Sequence, residues 1–252
     1  MKTAKSDIEW SVYGSIDYGA SRDVPAGIEE WSILRKHLRQ RGLTVMDSCV
    51  ELGCGAGRLT AALARDFGTV HALDVSADRI AQARTTISCG TVSFHHVREP
   101  AIPLDDGVAD LCISTHVLQH VSEDRVVDMY LREMQRVLCP RGQLLLHVPV
   151  VGAHGMTGKL GEVLRRRCRE IVKRPVLFAT RTLMRAGLRR LPWKIDQYRV
   201  FSFVELSARL REMGFANIEL RILPWSGGHG YVFAQAGKKA SDIDCGSASV
   251  RG

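Results

Sequence analysis

Two carboxylates bracket a glycine-rich turn in this chain. Glu51 ends an apolar run and is followed by Gly53, Cys54, Gly55 and Gly57, while Asp74 and Val75 close the next apolar run, 17 positions after Gly57. Glycines at such positions allow a tight turn and let a ligand approach the backbone closely. A helix starting near Arg58 points its free N–H groups at the same space. A carboxylate ending the second strand of such a unit suits the hydroxyls of a ribose. The chemistry implied is the holding of a nucleoside cofactor.

Charge decides which cofactor. A dinucleotide site prefers G-x-G-x-x-G, whereas this chain has G-x-G-x-G with Arg58 following. A carboxylate at Glu51 repels a pyrophosphate and favours a cation. S-adenosylmethionine carries a sulfonium and an ammonium and no phosphate, so the charge pattern favours it. Methyl transfer from a sulfonium to a hydroxyl gains from a base of near-neutral pKa, which favours histidine. His120 is the first candidate base and His116 the second, because both follow the apolar run 109–114 and so fall at its ligand-bearing end. His154, His229, Tyr13, Tyr18, Tyr198 and Arg199 are candidate acceptor-lining residues. His147 alternates within a strand and reads as structural, and His95 with His96 reads as a strand-end pair. No His, Asp or Glu cluster has metal-ligand spacing, so no metal is expected.

These residues need a scaffold of alternating strands and helices. Strands are expected at 47–52, 69–74, 91–96, 109–114, 143–149, 217–223 and 230–236. Helices are expected at 28–41, 58–67, 77–87, 123–138 and 203–213, from apolar residues at helical spacing such as Ile28, Trp31, Leu34 and Leu38. The alternation predicts an α/β fold: a doubly wound, Rossmann-like, seven-stranded sheet with a final antiparallel strand. Right-handed crossovers place the loops after the strands at one edge, where ligands bind. The chain divides into an N-terminal flap and helix (1–41), one domain (42–236) with a helical insertion at 150–197 after the fifth strand, and a polar tail (237–252) expected to be disordered.

The run Val50 to Thr60 resembles the first motif of the class I S-adenosylmethionine-dependent methyltransferases, in particular the type 11 small-molecule family. Asp110 to Val121 resembles that family's fourth strand and following loop, and Arg136 to Pro149 its helix, turn and fifth strand. The resemblance covers roughly residues 45 to 150 and, more weakly, 198 to 236. It implies S-adenosylmethionine as cofactor, with Glu51 at the methionyl end, Asp74 on the ribose, and Ser114 and Thr115 among the cofactor contacts. The family usually carries Asp near position 98 to meet the adenine. This chain has Arg98-Glu99, so Glu99 or a backbone amide is expected to substitute. Pro140-Arg141-Gly142 stands where the family more often has Pro-Gly-Gly.

The net charge of +8 is a local property: residues 159–194 hold twelve Lys and Arg against Glu162 and Glu170. Inserts at this place in the family often cap the acceptor, which predicts a small-molecule acceptor. Two further readings of 159–194 are a membrane-surface element for a lipophilic, quinone- or lipid-like acceptor and, ranked last, a phosphate-binding patch on nucleic acid. A cofactor-binding module without catalysis is the remaining alternative. No run approaches a membrane span of about 18 apolar residues, and residues 1–10 lack a signal-peptide core. Seven cysteines without a C-x-x-C pair point to reduced thiols and a cytoplasmic setting.

Overall fold

The structure is a computed structural model describing residues 24–151, 199–222 and 229–237. Helix α1 (Val24–Gln40) buries Trp31, Leu34 and Leu38 on one face. It starts four residues before the expected Ile28, because proline is tolerated in a first helical turn and Pro25 extends it. It stops at Gly42, whose φ of 98° is left-handed. The N–H groups of Leu43 and Gly42 close on the carbonyls of Leu38 and Arg39.

The core alternation follows: β1 (Ser48–Leu52), α2 (Thr60–Leu63), β2 (Thr69–Asp74), α3 (Ala77–Thr86), β3 (Val92–His96) and β4 (Ala109–Thr115). A 3₁₀ turn (Leu118–His120), α4 (Asp124–Val137) and β5 (Leu138–Val151) come next. After the undescribed stretch come β6 (Phe201–Ser202), α5 (Phe203–Glu212), β7 (Phe215–Ile222) and β8 (His229–Ala236). The main sheet runs β3-β2-β1-β4-β5-β8-β7, with β8 antiparallel to both its neighbours. This is the doubly wound arrangement predicted, with one addition. The short β6 pairs in parallel with the end of β5, through Val150 with Phe201 and Val151 with Ser202.

Both faces of the sheet are covered, so its central strands read as nearly continuous apolar runs. Val50, Leu52, Cys112, Leu144 and Leu146 pack with Val127, Leu131 and Met134 of α4 and Leu206 and Leu210 of α5. On the other face Cys49, Leu111, Ile113 and Leu145 pack with Trp31, Leu34 and Leu38 of α1 and Leu59 and Leu63 around α2. Each such buried Leu contributes roughly 1.5–3 kcal/mol by removal from water. The N-terminal helix is thus part of the same core as the sheet.

Two further boundaries differ from expectation. The helix expected over 58–67 is regular only at Thr60–Leu63; residues to Phe67 continue in tightened turns, with Asp66 N–H reaching the Leu63 carbonyl at 3.0 Å. The reason is the short connection to β2, which needs Phe67 buried and Gly68 turned onto the Met46 carbonyl. The turn expected at 140–142 lies inside β5, which starts at Leu138. There the pairing with β4 slips between Ala109 and Leu111, and Arg141 takes a left-handed φ of 70°.

The strand order reverses between β1 and β4. The carboxyl ends of those strands form the crevice in which open α/β sheets bind ligands. Tyr13, Tyr18, His154 and Tyr198, the insertion helices and the tail lie outside the described residues.

Candidate active site

The glycine loop is built from the strand ends upward. Gly53 and Cys54 both donate their N–H to the Leu73 carbonyl, at 2.7 and 2.9 Å, which locks the loop to β2. Gly53 has φ 82°, and a Cβ there would overlap the Val117 side chain in the loop after β4. Gly55 has φ 54°, and nothing lies within 4 Å of where its Cβ would stand. The first glycine is therefore demanded by the neighbouring loop. The second leaves open the space into which a ligand would press.

Asp74 reaches that loop. Its Oδ2 accepts the Gly55 N–H at 2.7 Å and its Oδ1 accepts the Ser76 N–H at 2.9 Å. Burial pushes its carboxyl above the usual range, opposed by the backbone N–H groups of Ser76 and Gly55. Ser76 in turn caps α3 by accepting from Arg79 N–H. Val75 is half-buried, and its carbonyl pairs with the His96 ring at 3.1 Å. Val97 N–H donates to the Asp74 carbonyl at 3.0 Å, which carries the exposed Arg98 and Glu99 past the same edge.

Glu51 is only 2 % exposed, on the sheet face that meets α1 and α2. Its Oε2 accepts the Thr60 hydroxyl at 2.6 Å. Burial raises its carboxyl to about 7, moderated by the Thr60 hydrogen bond and by Arg58. It supports the glycine loop from beneath. The residues fit S-adenosylmethionine: an open backbone cradle at Gly55, a fixed carboxylate at the end of β2, and a second carboxyl behind the loop. The one cation in the loop, Arg58, is paired with Glu30 at 2.5 Å.

Ser114 is fully buried, and its hydroxyl has no hydrogen-bond partner among the described residues. Thr115 is half-buried and pairs in register with His147. His116 follows with an exposed side chain and a left-handed φ of 60°. Its N–H donates to the His147 carbonyl, and its ring meets the His147 ring edge to face at 4.2 Å. His120 is half-buried in the 3₁₀ turn, its N–H on the Val117 carbonyl. His116 and His120 thus stand on one loop at the ligand-bearing edge.

Arg199, a candidate acceptor-lining residue, is held by the turn that follows β4. Its guanidinium pairs with Asp124 at 2.7 Å and donates to the Ser122 carbonyl, while its N–H donates to the Gln119 carbonyl at 2.8 Å. It ties the returning chain to the turn that carries His120. His229 opens β8 opposite Pro149.

Three residues that join the site carry no local signal of it. Glu30 on α1 binds Arg58 and also accepts the Tyr231 hydroxyl at 2.9 Å, although 201 positions separate Glu30 and Tyr231. The third is His147, whose ring stacks on that of Tyr231 at 4.0 Å. Only Thr60 was within reach of the motif itself, nine residues beyond Glu51.

Residues 50–146 match a sequence profile described as a methyltransferase domain. No curated protein is matched. Among solved structures, the chain resembles a SAM-dependent methyltransferase of Methanosarcina mazei, with a TM-score of 0.54 at 19 % identity, over 78 % of this chain and 96 % of that one. It also resembles phosphoethanolamine N-methyltransferase 2 of Haemonchus contortus, solved with phosphomonomethylethanolamine and S-adenosylhomocysteine. That likeness has a TM-score of 0.55 at 16 % identity, over 82 % of this chain and 53 % of that one. A third likeness is to the [4+2]-cyclase SpnF, with a TM-score of 0.53 at 19 % identity, over 82 % and 80 %. Identities this low establish the fold and leave the chemistry to the family match and the donor loop. On those grounds residues 50–146 are a methyltransferase domain, and the chain has the fold of the S-adenosylmethionine-dependent methyltransferases.

Proposed function

We propose that the protein methylates a hydroxyl of a small-molecule acceptor, with the segment between Val151 and Arg199 forming a cap over that acceptor. One observation carries this reading: the two roots of the segment are pinned beside each other at the ligand edge. Val150 and Val151 pair with Phe201 and Ser202, and Arg199 N–H is bonded to Gln119, next to His120. Both roots of the segment therefore lie at the edge that carries the loop of His116 and His120. The methyltransferase neighbour solved with a small phosphorylated amine supports an acceptor of this size.

When bound, S-adenosylmethionine supplies a methyl group already activated by its sulfonium charge. The chain's own residues then bind, orient and manage a proton. Asp74 holds the ribose hydroxyls, Gly53, Cys54, Gly55 and Gly57 receive the methionyl end, and Glu51 fixes the loop behind it. Val75, Arg98 and Glu99 flank the adenine side, and Ser114 and Thr115 contact the donor from β4. His116 or His120 accepts the acceptor's hydroxyl proton at a ring nitrogen. His116 ranks first because its ring is exposed and its backbone is held in a left-handed turn. His229, His154, Tyr198, Tyr13 and Tyr18 are lining residues of the acceptor space.

The test is incubation with tritium-labelled methyl donor and three acceptor pools: hydroxylated small molecules, lipid or quinone vesicles, and tRNA. Label in the small-molecule pool is the expected result. Label confined to vesicles or tRNA would replace the cap by the membrane or nucleic-acid reading of residues 159–194. Binding of S-adenosylhomocysteine with no transfer to any pool would support a module without catalysis. No helix of the described residues is long and apolar enough to cross a membrane.

A further inference from the structure

We infer that His147, an apparently structural strand residue, is a positioning residue that sets the orientation of the His116 imidazole and links it to the methyl-donor loop. The inference rests on the reading of His116 as the residue facing the acceptor. His147 lies on β5, 2 % exposed, with its ring between two others. On one side it stacks on Tyr231, the planes 10° apart and the centroids 4.0 Å apart. On the other it meets His116 edge to face at 4.2 Å and 64°.

The contact with His116 is double. The His147 carbonyl accepts the His116 N–H at 3.2 Å, so the same residue holds both backbone and ring of His116. A non-glycine residue at φ 60° is uncommon and persists where its surroundings fix it. The far end of the column is fixed too. Tyr231 OH donates to Glu30 Oε1, and Glu30 Oε2 pairs with Arg58 beside the glycine loop. Arg58, Glu30, Tyr231, His147 and His116 therefore come from the donor loop, α1, β8, β5 and the β4 loop, and form one continuous path. A core histidine serving packing alone would not need its neighbour ring to emerge at the ligand edge. Among the described residues, the groups facing His116 include His147 from β5 and, behind it, Tyr231 from β8 with Glu30 from α1.

The experiment is imidazole NMR of the full chain, with His116 assigned by loss of its signals in His116→Gln. In the native protein, NOEs are expected between the His116 and His147 rings. His147→Phe keeps a ring against His116 and should keep the NOEs between the His116 ring and its own loop that fix the ring's orientation. His147→Leu removes the ring and should lose or redistribute those NOEs, with donor binding measured by calorimetry retained. Absence of the inter-ring NOE in the native protein, or unchanged His116-to-loop NOEs in His147→Leu, would overturn the inference. The NOE arm stands even if His147→Leu does not fold. Full turnover by His116→Gln, with the His147 effects present, would instead overturn the assignment of His116 and leave the positioning intact.

Discussion

Asp74 Oδ2 accepts the Gly55 N–H at 2.7 Å, so the carboxylate at the end of β2 and the central glycine of the donor loop form one rigid unit. The hydrogen bond explains how a half-buried acid can stay in place beneath an exposed crevice. On the function proposed above, Asp74 then has two tasks, holding the loop and holding the donor.

The first prediction concerns that pair. Asp74→Ala should weaken S-adenosylhomocysteine binding by at least about 1.5 kcal/mol, the scale of a lost charge-assisted hydrogen bond. Isothermal calorimetry measures it, and unchanged affinity would remove Asp74 from the ribose.

Glu51 makes stability depend on pH. Its folded-state carboxyl is raised from 4.5 to about 7 by burial. Between those values the folded chain holds a proton that the unfolded chain has lost, so stability contributed by this group falls as pH rises from about 4.5 to 7 and is flat above. The span corresponds to an upper bound on the order of 3 kcal/mol. Glu51→Gln should therefore raise the melting temperature at pH 8 more than at pH 5. Equal shifts at both, by calorimetry, would contradict the burial argument.

His116→Gln should lower kcat by about 10²-fold or more if its ring takes the acceptor proton, with donor affinity retained. The same change at His120 should then have a smaller effect. The reverse ranking in single-turnover assays would return the role to His120.

Arg141 is exposed and sits at φ 70°. The left-handed conformation costs a side-chain-bearing residue about 1–2 kcal/mol. Arg141→Gly removes that cost but loosens the unfolded chain, for a net gain of about 0.5–1 kcal/mol in denaturant unfolding. A loss of stability would mean that the side chain makes a compensating contact.

Arg199→Gln should cost less than about 1 kcal/mol of global stability, because its partner Asp124 is exposed. It should raise the acceptor KM more than it changes donor affinity, since Arg199 ties the root of the insertion to the turn of His120. Equal effects on both substrates would argue against a cap rooted there.

The sequence by itself determined the donor half of this protein. Glycines, strand ends and flanking carboxylates are local: Gly53 to Gly57 and Asp74 fall within one βαβ unit, and their spacing carries both geometry and charge. The apolar periodicity likewise located α4 and β2, because burial on one or both faces is written in consecutive residues. Tertiary structure alone decided the contacts around the β4 loop. Tyr231 meets Glu30 across 201 positions, and His147 gains its neighbours only when β5, β8 and the β4 loop come together. Arg199 reads in sequence as a candidate acceptor-lining residue, and only the fold shows its charge bound to Asp124. Such pairings depend on strand order and register, which no local pattern encodes. The glycine loop is thus read along the chain, while the ring column behind the β4 loop is assembled across it.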